Sequence, residues 1–446
     1  MALPPGPSYS PALQTFRYVT QPEKFLRDCH QRYGDIFTVT TLIFGPEVCV
    51  VRPEVIKTVF TGDSDELRAG EANIALEPLV GMKSVLLLDG AEHLRQRRLM
   101  MPPFHGERMF AYARTMREIA ERMVDGWPVG KKFTLHKHMQ KLTLEIILRT
   151  IFGVEEGAQM DDLGAAIARV LDLTASPFTM VGATPPFRKN LWGFSPWARL
   201  QRALRSADKL IYEVISRRRA EIEAKAPPRT DVLSMLLTAR DDKGDGMTDA
   251  ELRDELLTLL AAGHETTATE LCWALDAILG APRVVARLQD ELRGATNDAG
   301  VLAMDRLPYL DATLKEALRL HPVIPAVARR VKVPMVVGGY DVPAGMLLVP
   351  GVWLTHHLPD IYPQPDEFRP ERFLDTKPDP YAWLPFGGGV RRCLGMAFAL
   401  FEMKVVLATV LTRVSLRLTS NKPTRAVLRG FTHAPRGNVP VIVEKR

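Results

Sequence analysis

Most of the chain repeats apolar residues at helical spacing. The clearest runs extend from Met109 to Trp127 and from Leu200 to Ala226, where apolar residues recur every three or four positions. Short clusters rich in β-branched residues lie between such runs. One flanks Phe44-Gly45-Pro46, where we expect a hairpin, one spans Val333 to Pro350, and one is near the C terminus. The pattern predicts a mainly α protein with a minor β portion.

The longest helix is predicted to begin near Thr248, where Thr248-x-x-Glu251 forms a capping box, and to end near Gly280. Both flanks are apolar nearly all round, but the centre reads AGHETT, residues 262–267. An acid and two hydroxyls are costly to bury mid-helix without partners. Two interpretations are open: a solvent-facing dent, or a widened turn lining an active site in which Glu265 and Thr266 handle protons.

The predicted loops are 70–85, 176–196 and 241–247, and none has the composition of a domain linker. No repeat or low-complexity segment is present, so we predict a single domain over residues 1–446. The net charge of +6 is spread along the chain. It is weak evidence for nucleic acid and fits an acidic protein partner equally well. Because no apolar run reaches about 18 residues, we expect a soluble, cytoplasmic protein with no membrane anchor.

The four cysteines are far apart and form no CxxC pair, which makes a zinc site or a disulfide framework unexpected. Cys393 differs from the others because it ends FGGGVRRC, directly before a helical pattern. The helix dipole, Arg391 and Arg392 all favour the thiolate, which could serve as a nucleophile or a metal ligand. The glycines permit close approach to a flat group, which suits a thiolate bound to haem iron. A buried structural thiol is the alternative.

Three further motifs are weak when taken alone. Glu316-x-x-Arg319 places both charges on one helix face, which is usual for a surface ion pair. Arg372, in the segment FRPERF, could join them in a buried network, or could belong to a polar loop. His93 and Arg97 are four apart and could hold one anionic group, or could form a solvated face.

Together these segments resemble the cytochrome P450 family over nearly the whole chain. The segment Phe386-x-x-Gly389-x-Arg391-x-Cys393-x-Gly395 matches the haem-binding signature of the family in full, and the other motifs follow in the family's order. The resemblance implies the P450 fold, with haem between a long central helix and a proximal cysteine loop.

The resemblance also implies a role for each motif. Cys393 would be the axial thiolate ligand of haem b, and Thr266 and Glu265 would be catalytic, with Glu265 relaying protons. The other implied cofactor-binding residues form two groups. The expected propionate partners are His93, Arg97, Arg329 and Arg391, and the remaining haem contacts are Ala262, Phe386, Gly387 and Gly395. Gly263 would join Ala262, Glu265 and Thr266 in an oxygen-binding groove. The implied structural network consists of Glu316, Arg319 and Arg372.

The implied reaction inserts one oxygen atom of O2 into a C–H or C=C bond and releases the other as water. Electrons are expected from a separate ferredoxin or flavodoxin with its reductase, because the sequence has no flavin or iron–sulfur segment. The expected docking residues are Arg98, Arg391, Arg392 and Lys404. We expect a monomer. Peroxide-driven chemistry, a haem sensor and a cysteine hydrolase are alternatives, and the Glu265–Thr266 pair argues against the first two.

The substrate is predicted to be hydrophobic and of moderate size, such as a terpenoid, a steroid or a fatty acid. By family position the pocket would be lined by parts of residues 71–88, 171–192, 258–265 and 323–327. The implied pocket residues are Leu79, Val80, Thr258, Ala261, Ile324, Val327 and Phe431, together with Leu76, Met82, Phe178 and Met180. About half of such residues are expected simply to pack the core.

Overall fold

The computed structural model describes residues 3–104, 108–154, 157–175, 195–295 and 306–446. The protein is mainly helical with a minor sheet portion, as predicted. The α-helices are Pro11–Thr20, Pro22–Tyr33, Pro53–Thr61, Ala69–Ala72, Glu77–Val80, Gly90–Met100, Arg108–Asp125, Leu135–Thr150, Ala158–Ala175, Pro196–Glu223, Val232–Thr238, Asp249–Leu279, Pro282–Ala295, Pro308–Leu320, Val352–Thr355 and Met396–Arg413. Short 3-10 helices are Ile74–Leu76, Pro102–Phe104, Pro370–Phe373 and Gly389–Arg391.

The strands form one sheet of five strands and three smaller ones. They are β1 (Ile36–Thr41), β2 (Gly45–Val50), β3 (Leu67–Arg68), β4 (Lys132–Thr134), β5 (Arg329–Val331), β6 (Met335–Val337), β7 (Tyr340–Val342), β8 (Leu347–Pro350), β9 (Ser415–Leu418), β10 (Ala426–Arg429), β11 (Thr432–Pro435) and β12 (Pro440–Lys445). The five-stranded sheet has the order β1-β2-β8-β5-β3, the three-stranded sheet β4-β12-β9, and β6-β7 and β10-β11 are hairpins.

Contacts divide the chain into two compact units, each built from separate segments. The mixed unit comprises Met1–Arg68, Met116–Gln140 and Thr266–Arg446, and every strand of the described residues belongs to it. The helical unit comprises Ala69–Thr115 and Lys141–Glu265. The helix Asp249–Leu279, which we call the long helix, contributes residues to both units. The expectation of a single domain stays a prediction.

One hydrophobic core of the mixed unit lies between the five-stranded sheet and the helix Pro53–Thr61. β2 pairs in parallel with β8, with Glu47 opposite Leu347, and the paired apolar side chains are buried. The helix places every third or fourth residue against them, as its amphipathic pattern dictates. The buried cluster includes Val48, Val50, Ile56, Val59, Phe60, Val331, Leu348 and Leu384. Leu384 matters for the site because it precedes the cysteine loop.

The helical unit is held by a helix pair and a buried ion pair. Ala158–Ala175 packs on Pro196–Glu223 through Val170, Leu200 and Leu204. Arg218 is fully buried and paired with Asp231, whose other oxygen accepts the Ser234 N–H at 2.9 Å and so caps a helix. A buried charge is tolerated only with such partners.

The capping box at the start of the long helix is confirmed. The Glu251 N–H donates to Thr248 Oγ1 at 3.2 Å, and the Thr248 N–H donates to Glu251 Oε2 at 2.8 Å. The helix ends at Leu279, one residue before Gly280, and is continuous through residues 262–267.

Two predicted details of the loops differ. The hairpin turn falls at residues 42–44 instead of 44–46, because Gly45 and Pro46 already pair with Thr41 and Thr40 in β2. The predicted loop 70–85 contains short helices, whereas 241–247 is non-helical as expected. Most of the loop 176–196 lies outside the described residues. Within the described chain, no helix is long and apolar enough to cross a membrane.

Candidate functional site

Cys393 lies on a tight loop before the helix Met396–Arg413. Its thiol is solvent-exposed, unlike those of the other three cysteines, which are buried. The Gly387 N–H donates to Leu384 O at 2.9 Å where the loop begins, and the Cys393 N–H donates to Phe386 O at 2.9 Å where it closes. The loop therefore presents one accessible thiol on a hydrogen-bonded backbone, three residues before the helix begins.

Two glycines of this loop contact Phe60, a residue that the sequence pattern did not single out: Gly388 faces its ring and Gly389 its backbone. A Cβ at Gly388 would lie 2.8 Å from Cε2 of Phe60, and one at Gly389 would lie 3.1 Å from the Phe60 carbonyl carbon. Gly387 and Gly389 have φ of +65° and +63°, a region that favours glycine. Gly388 and Gly389 are therefore required by contact with the helix Pro53–Thr61.

Phe60 also contacts one of the arginines expected near the cofactor. The guanidinium carbon of Arg329 lies 5.4 Å from the Phe60 ring centroid, within cation–π range. Arg329 is buried in β5, and Arg391 is half-buried in the 3-10 helix Gly389–Arg391 of the loop. Within the mixed unit, Phe60 thus joins the strand carrying Arg329 to the loop carrying Arg391 and Cys393.

The structure brings Glu316, Arg319 and Arg372 together in a buried network. Arg319 binds Glu316 through two hydrogen bonds of 2.7 and 2.9 Å, and both side chains are fully buried. Arg372 Nε donates to Glu316 Oε1 at 3.3 Å, and the Arg369 N–H donates to the same oxygen at 2.9 Å. Both carboxylate oxygens of Glu316 therefore accept hydrogen bonds, which is the condition for keeping such charges in a core.

The same network reaches the segment before the cysteine loop. Arg319 Nη1 donates to His356 O at 2.8 Å, and the ring of His356 contacts the backbone of both Arg319 and Leu384. His356 is another residue that sequence analysis missed, because no motif or spacing marks it.

The middle of the long helix has an accessible stripe. Leu259, Gly263 and Thr266 are half-buried and Ala262 is exposed, whereas the residues before and after them on this face are buried. The spacing of three and four places these positions on one face. Glu265 is half-buried beside the stripe. The stripe is accessible, as both the groove and the surface-dent interpretations require, so the oxygen-binding groove stays a prediction.

Within the helical unit, the helix Leu135–Thr150 packs against Gly263 of this stripe and against the neighbouring His264. A Cβ at Gly263 would lie 3.1 Å from Cδ1 of Ile147, so glycine permits a close approach of the two helices. The buried Thr143 hydroxyl donates to His264 O at 3.2 Å. Neither contact was predicted, because both partners lie over a hundred residues away in the chain.

One flank of the long helix hides a second acid. Glu270 is buried, and within the described chain neither of its carboxylate oxygens has a hydrogen-bond partner. Burial raises the pKa of Glu270 well above its usual range. Burial therefore favours the neutral form of the carboxyl, which is the form that an apolar flank accommodates.

The loop of residues 83–85 is bound to the start of the long helix. The Lys83 N–H donates to Asp254 Oδ2 and the Val85 N–H donates to Glu255 Oε1, both at 2.8 Å. Burial raises the pKa of Glu255 to about 8. Asp254 and Glu255 lie on the helix that the sequence predicts, but the sequence does not indicate that the loop of residues 83–85 binds them.

The expected pocket residues of the helical unit are largely packed. Val80 is buried, and Leu79 packs on the helix pair through Leu200 and its neighbours. Thr258 is buried, with its hydroxyl 2.7 Å from that of Ser84. Ala261 is half-buried. Phe178 and Met180 lie outside the described residues.

In the mixed unit, the expected pocket residues lie on connected segments. Ile324 and Val327 are half-buried, and Phe431 is 37% exposed at the tip of the β10–β11 hairpin. The His433 N–H donates to Val323 O at 2.8 Å, and Trp273 Nε1 of the long helix donates to His433 O at 2.9 Å. The hairpin is thus fixed to the segment 323–327.

The helix Gly90–Met100 carries the remaining expected anion-binding residues. His93 is buried and Arg97 is half-buried, one turn apart. Arg98 is exposed, and its guanidinium donates to Asp242 at 3.0 Å.

Lys404 is a correction to the expected docking surface. Its ammonium is paired with Asp311, which also binds Lys315 at 2.6 Å, and the Lys404 side chain is only 20% exposed. Such a paired, largely covered lysine offers little charge to a partner. Arg392 and Val390, by contrast, are exposed on the cysteine loop.

Comparison with known proteins gives consistent matches along the chain. The sequence model of the family described as "Cytochrome P450" matches residues 3–439. The chain is 41% identical over 436 residues to putative cytochrome P450 135B1 of Mycobacterium tuberculosis, covering 98% of this chain and 90% of the relative. It is 36% identical over 445 residues to putative cytochrome P450 138 of the same organism, covering 100% and 97%.

Two solved structures share the fold. The retinoic acid-bound cyanobacterial CYP120A1 superposes with a TM-score of 0.84 at 24% identity, covering all of both chains. The haem domain of cytochrome P450DA superposes with a TM-score of 0.85 at 24% identity, covering 100% of this chain and 99% of that one.

Proposed function

Because the chain belongs to the cytochrome P450 family, whose members are haem-thiolate monooxygenases, we propose that it inserts one oxygen atom of O2 into a hydrophobic substrate. The observation that carries the proposal is Cys393: an accessible thiol on a hydrogen-bonded loop that matches the haem-binding signature in full. Haem and a monooxygenase reaction follow from the family; the substrate, the electron donor and the residue roles below are proposals.

The residues present fit haem. The Cys393 thiol is of the type that ligates iron, and three arginines and one histidine supply the cationic or hydrogen-bond-donating side chains that carboxylates bind. We propose that His93, Arg97, Arg329 and Arg391 hold the propionates. When bound, haem supplies the activation of dioxygen, and the thiolate donates electron density to its iron.

The proton-handling residues of the proposal are Glu265 and Thr266. The Thr266 hydroxyl is on the accessible stripe and can both donate and accept a hydrogen bond, so it can hold a water molecule in place. The Glu265 carboxyl beside it can take a proton from solvent and pass it on. Neither role is needed for a haem carrier.

The substrate is proposed to be a terpenoid, a steroid or a fatty acid. The support is the apolar character of the accessible candidates Ala261, Ile324, Val327 and Phe431. Val80 and Thr258 are buried among protein atoms, so they would act from behind the residues that contact the substrate.

A ferredoxin or flavodoxin is proposed as the electron donor. The support is the exposed Arg392 next to Cys393, which suits an acidic partner surface. Arg392→Glu should slow reduction by such a partner, with a salt dependence weaker than that of the wild type. Lys422→Glu, a charge reversal in the exposed loop after β9, is the matched control.

Two variants test the reaction. Cys393→Ser should lose the strongly red-shifted Soret band of the reduced CO complex, because a hydroxyl does not replace the thiolate ligand. Thr266→Ala should keep that band but divert electrons from product to peroxide. A Thr266→Ala variant that couples reduction to product as well as the wild type would remove Thr266 from proton handling.

A further inference from the structure

We propose that His356 is a positioning residue for Cys393: its imidazole connects the buried Glu316–Arg319 network to the segment that leads into the cysteine loop. The inference rests on the proposed haem site, since the loop matters there as the holder of the thiolate. Glu316, Arg319 and Arg372 were expected to act near this loop, but no residue in the sequence indicated how they reach it.

The ring of His356 makes one hydrogen bond at each nitrogen. The Leu384 N–H donates to Nε2 at 2.8 Å, so Nε2 is the unprotonated nitrogen. Nδ1, which lies 3.1 Å from Arg319 O, must then carry the hydrogen and donate it to that oxygen. The contacts fix one tautomer of a neutral imidazole.

The contact between His356 and Arg319 is reciprocal. Arg319 Nη1 donates to His356 O at 2.8 Å while His356 Nδ1 donates to Arg319 O. The two residues are fully buried and 37 positions apart in the chain. Because Arg319 is also held by Glu316, the imidazole is attached to a rigid part of the core.

Neutrality suits this position. Burial, with the guanidinium of Arg319 and the neighbouring His357, holds the pKa of His356 well below its usual range. A protonated ring would lose its acceptor nitrogen and leave the Leu384 N–H without a partner.

Leu384 is where the network meets the loop. Its side chain is 1% exposed and belongs to the core cluster with Phe60, so its backbone N–H cannot turn to water. The two preceding residues are also held: Tyr362 Oη donates to Ala382 O at 3.1 Å, and Trp383 Nε1 donates to Lys315 O at 3.2 Å.

The loop begins at the same residue. Leu384 O accepts the Gly387 N–H at 2.9 Å, and the turn so formed precedes the bond that closes the loop, from Cys393 N–H to Phe386 O. A displacement of the Leu384 backbone would therefore also displace Cys393, because a short hydrogen-bonded turn connects the two residues. His356 supplies the acceptor that fixes the first residue of that path.

Two substitutions separate the two bonds of the ring. The side-chain amide of His356→Asn ends near the position of Nδ1, so it can donate to Arg319 O but cannot reach Leu384. The longer His356→Gln reaches the position of Nε2 and can accept the Leu384 N–H. His357→Gln is the matched control, because the contacts of the neighbouring ring lead elsewhere: His357 Nδ1 lies 2.8 Å from Trp353 O, its ring stacks on Trp353, and its Nε2 lies 3.9 Å from Asp366 Oδ1.

The measurement is the reduced CO complex of the full-length holoprotein, read as the ratio of the red-shifted Soret band of thiolate ligation to the shorter-wavelength band formed when the thiolate is lost. We expect His356→Asn to lower this ratio roughly fivefold or more, since leaving one buried N–H without an acceptor shifts an equilibrium by about that factor. His356→Gln and His357→Gln should stay near the wild-type ratio.

Equal ratios in the wild type and His356→Asn would overturn the proposal. So would an equal loss in His356→Asn and His356→Gln, since it would assign the effect to the fold instead of the Leu384 bond. A wild-type protein without the red-shifted band would refute the haem site itself, which distinguishes the two failures.

Discussion

Gly388 of the cysteine loop lies directly against the ring of Phe60, so that a Cβ at Gly388 would stand 2.8 Å from Cε2 of that ring. The loop and the helix Pro53–Thr61 are therefore packed without room for a methyl group. The haem-binding signature leaves position 388 unspecified, but contact with Phe60, more than 300 positions earlier in the chain, requires glycine there.

Gly388→Ala should destabilise the protein by about 1–3 kcal/mol, the usual cost of overpacking a core, and should lower haem retention. Thermal unfolding and the haem-to-protein absorbance ratio measure both effects. Phe60→Leu, combined with Gly388→Ala, should recover part of the loss because the smaller side chain removes the clash.

The control for this change is Gly294→Ala, in an exposed helical position where a Cβ would meet nothing within 4 Å. It should be neutral or slightly stabilising. A Gly388→Ala protein as stable as Gly294→Ala would contradict the packing argument.

Arg319→Lys should destabilise the protein by about 3–5 kcal/mol, because a lysine cannot make both bonds to Glu316 and the bond to His356 O, which leaves buried charge unpaired. Urea unfolding measures the change. Arg417→Lys, in the exposed pair with Glu444, is the control and should cost less than about 1 kcal/mol. Similar losses for both variants would show that the network is no stronger than a surface pair.

Glu255→Gln should stabilise the protein at pH 8 and leave it nearly unchanged at pH 5. Burial raises the pKa of Glu255 from 4.5 to about 8, so the folded state holds a proton that the unfolded chain releases above pH 4.5. Stability is therefore lost as pH rises, by at most about 1.4 kcal/mol per pH unit, until pH 8. Glutamine removes this loss and can still accept the Val85 N–H.

The measurement is the unfolding free energy at intervals between pH 5 and pH 8 in both proteins. Glu213→Gln, at an exposed position of the helix Pro196–Glu223, should leave the wild-type profile in place. Parallel profiles for Glu255→Gln and the wild type would mean that this carboxyl is ionised in the folded state.

Acid should destabilise the protein below about pH 6.5 through its buried histidines. Burial lowers the pKa of His433 to about 4 and that of His357 to about 3. Below pH 6.5 these histidines become protonated in the unfolded chain but stay neutral in the folded protein. The free energy of unfolding therefore decreases as pH falls toward the lowered pKa values, by up to about 1.4 kcal/mol per histidine per pH unit.

His433→Met should reduce this acid slope and match the wild type at pH 7.5. Neither ring nitrogen of His433 has a hydrogen-bond partner within the described chain, so methionine removes the titration without removing a bond. Thermal unfolding from pH 4.5 to 7.5 measures the slope. An unchanged slope would exclude His433 as a source of acid sensitivity.

Features set by neighbouring residues were predictable. The capping box of the long helix needs only Thr248 and Glu251, and the pairing of Glu316 with Arg319 needs only helical spacing. The loop of Cys393 and the accessible stripe around Ala262 follow from similarly local patterns.

Features set by distant residues were not predictable. His356 contacts Leu384 across 28 positions, Phe60 contacts Gly388 across more than 300, and Lys404 is covered by Asp311. None of these pairs leaves a local pattern, because side-chain packing and not spacing selects the partner. The predicted hairpin turn was wrong by two residues because Gly45 and Pro46 serve as strand residues opposite Thr41 and Thr40.

The pairing of β2 with β8 has a consequence for the chain as it leaves the ribosome. Val48 and Val50 emerge some 300 residues before Leu348, their strand's neighbour in the sheet. At synthesis rates of about 5–20 residues per second, this edge stays without its partner strand for roughly 15 to 60 seconds. An unpaired apolar edge invites association with other chains. A lower growth temperature and added chaperones should therefore raise the soluble yield of this protein more than a stabilising substitution in its finished fold.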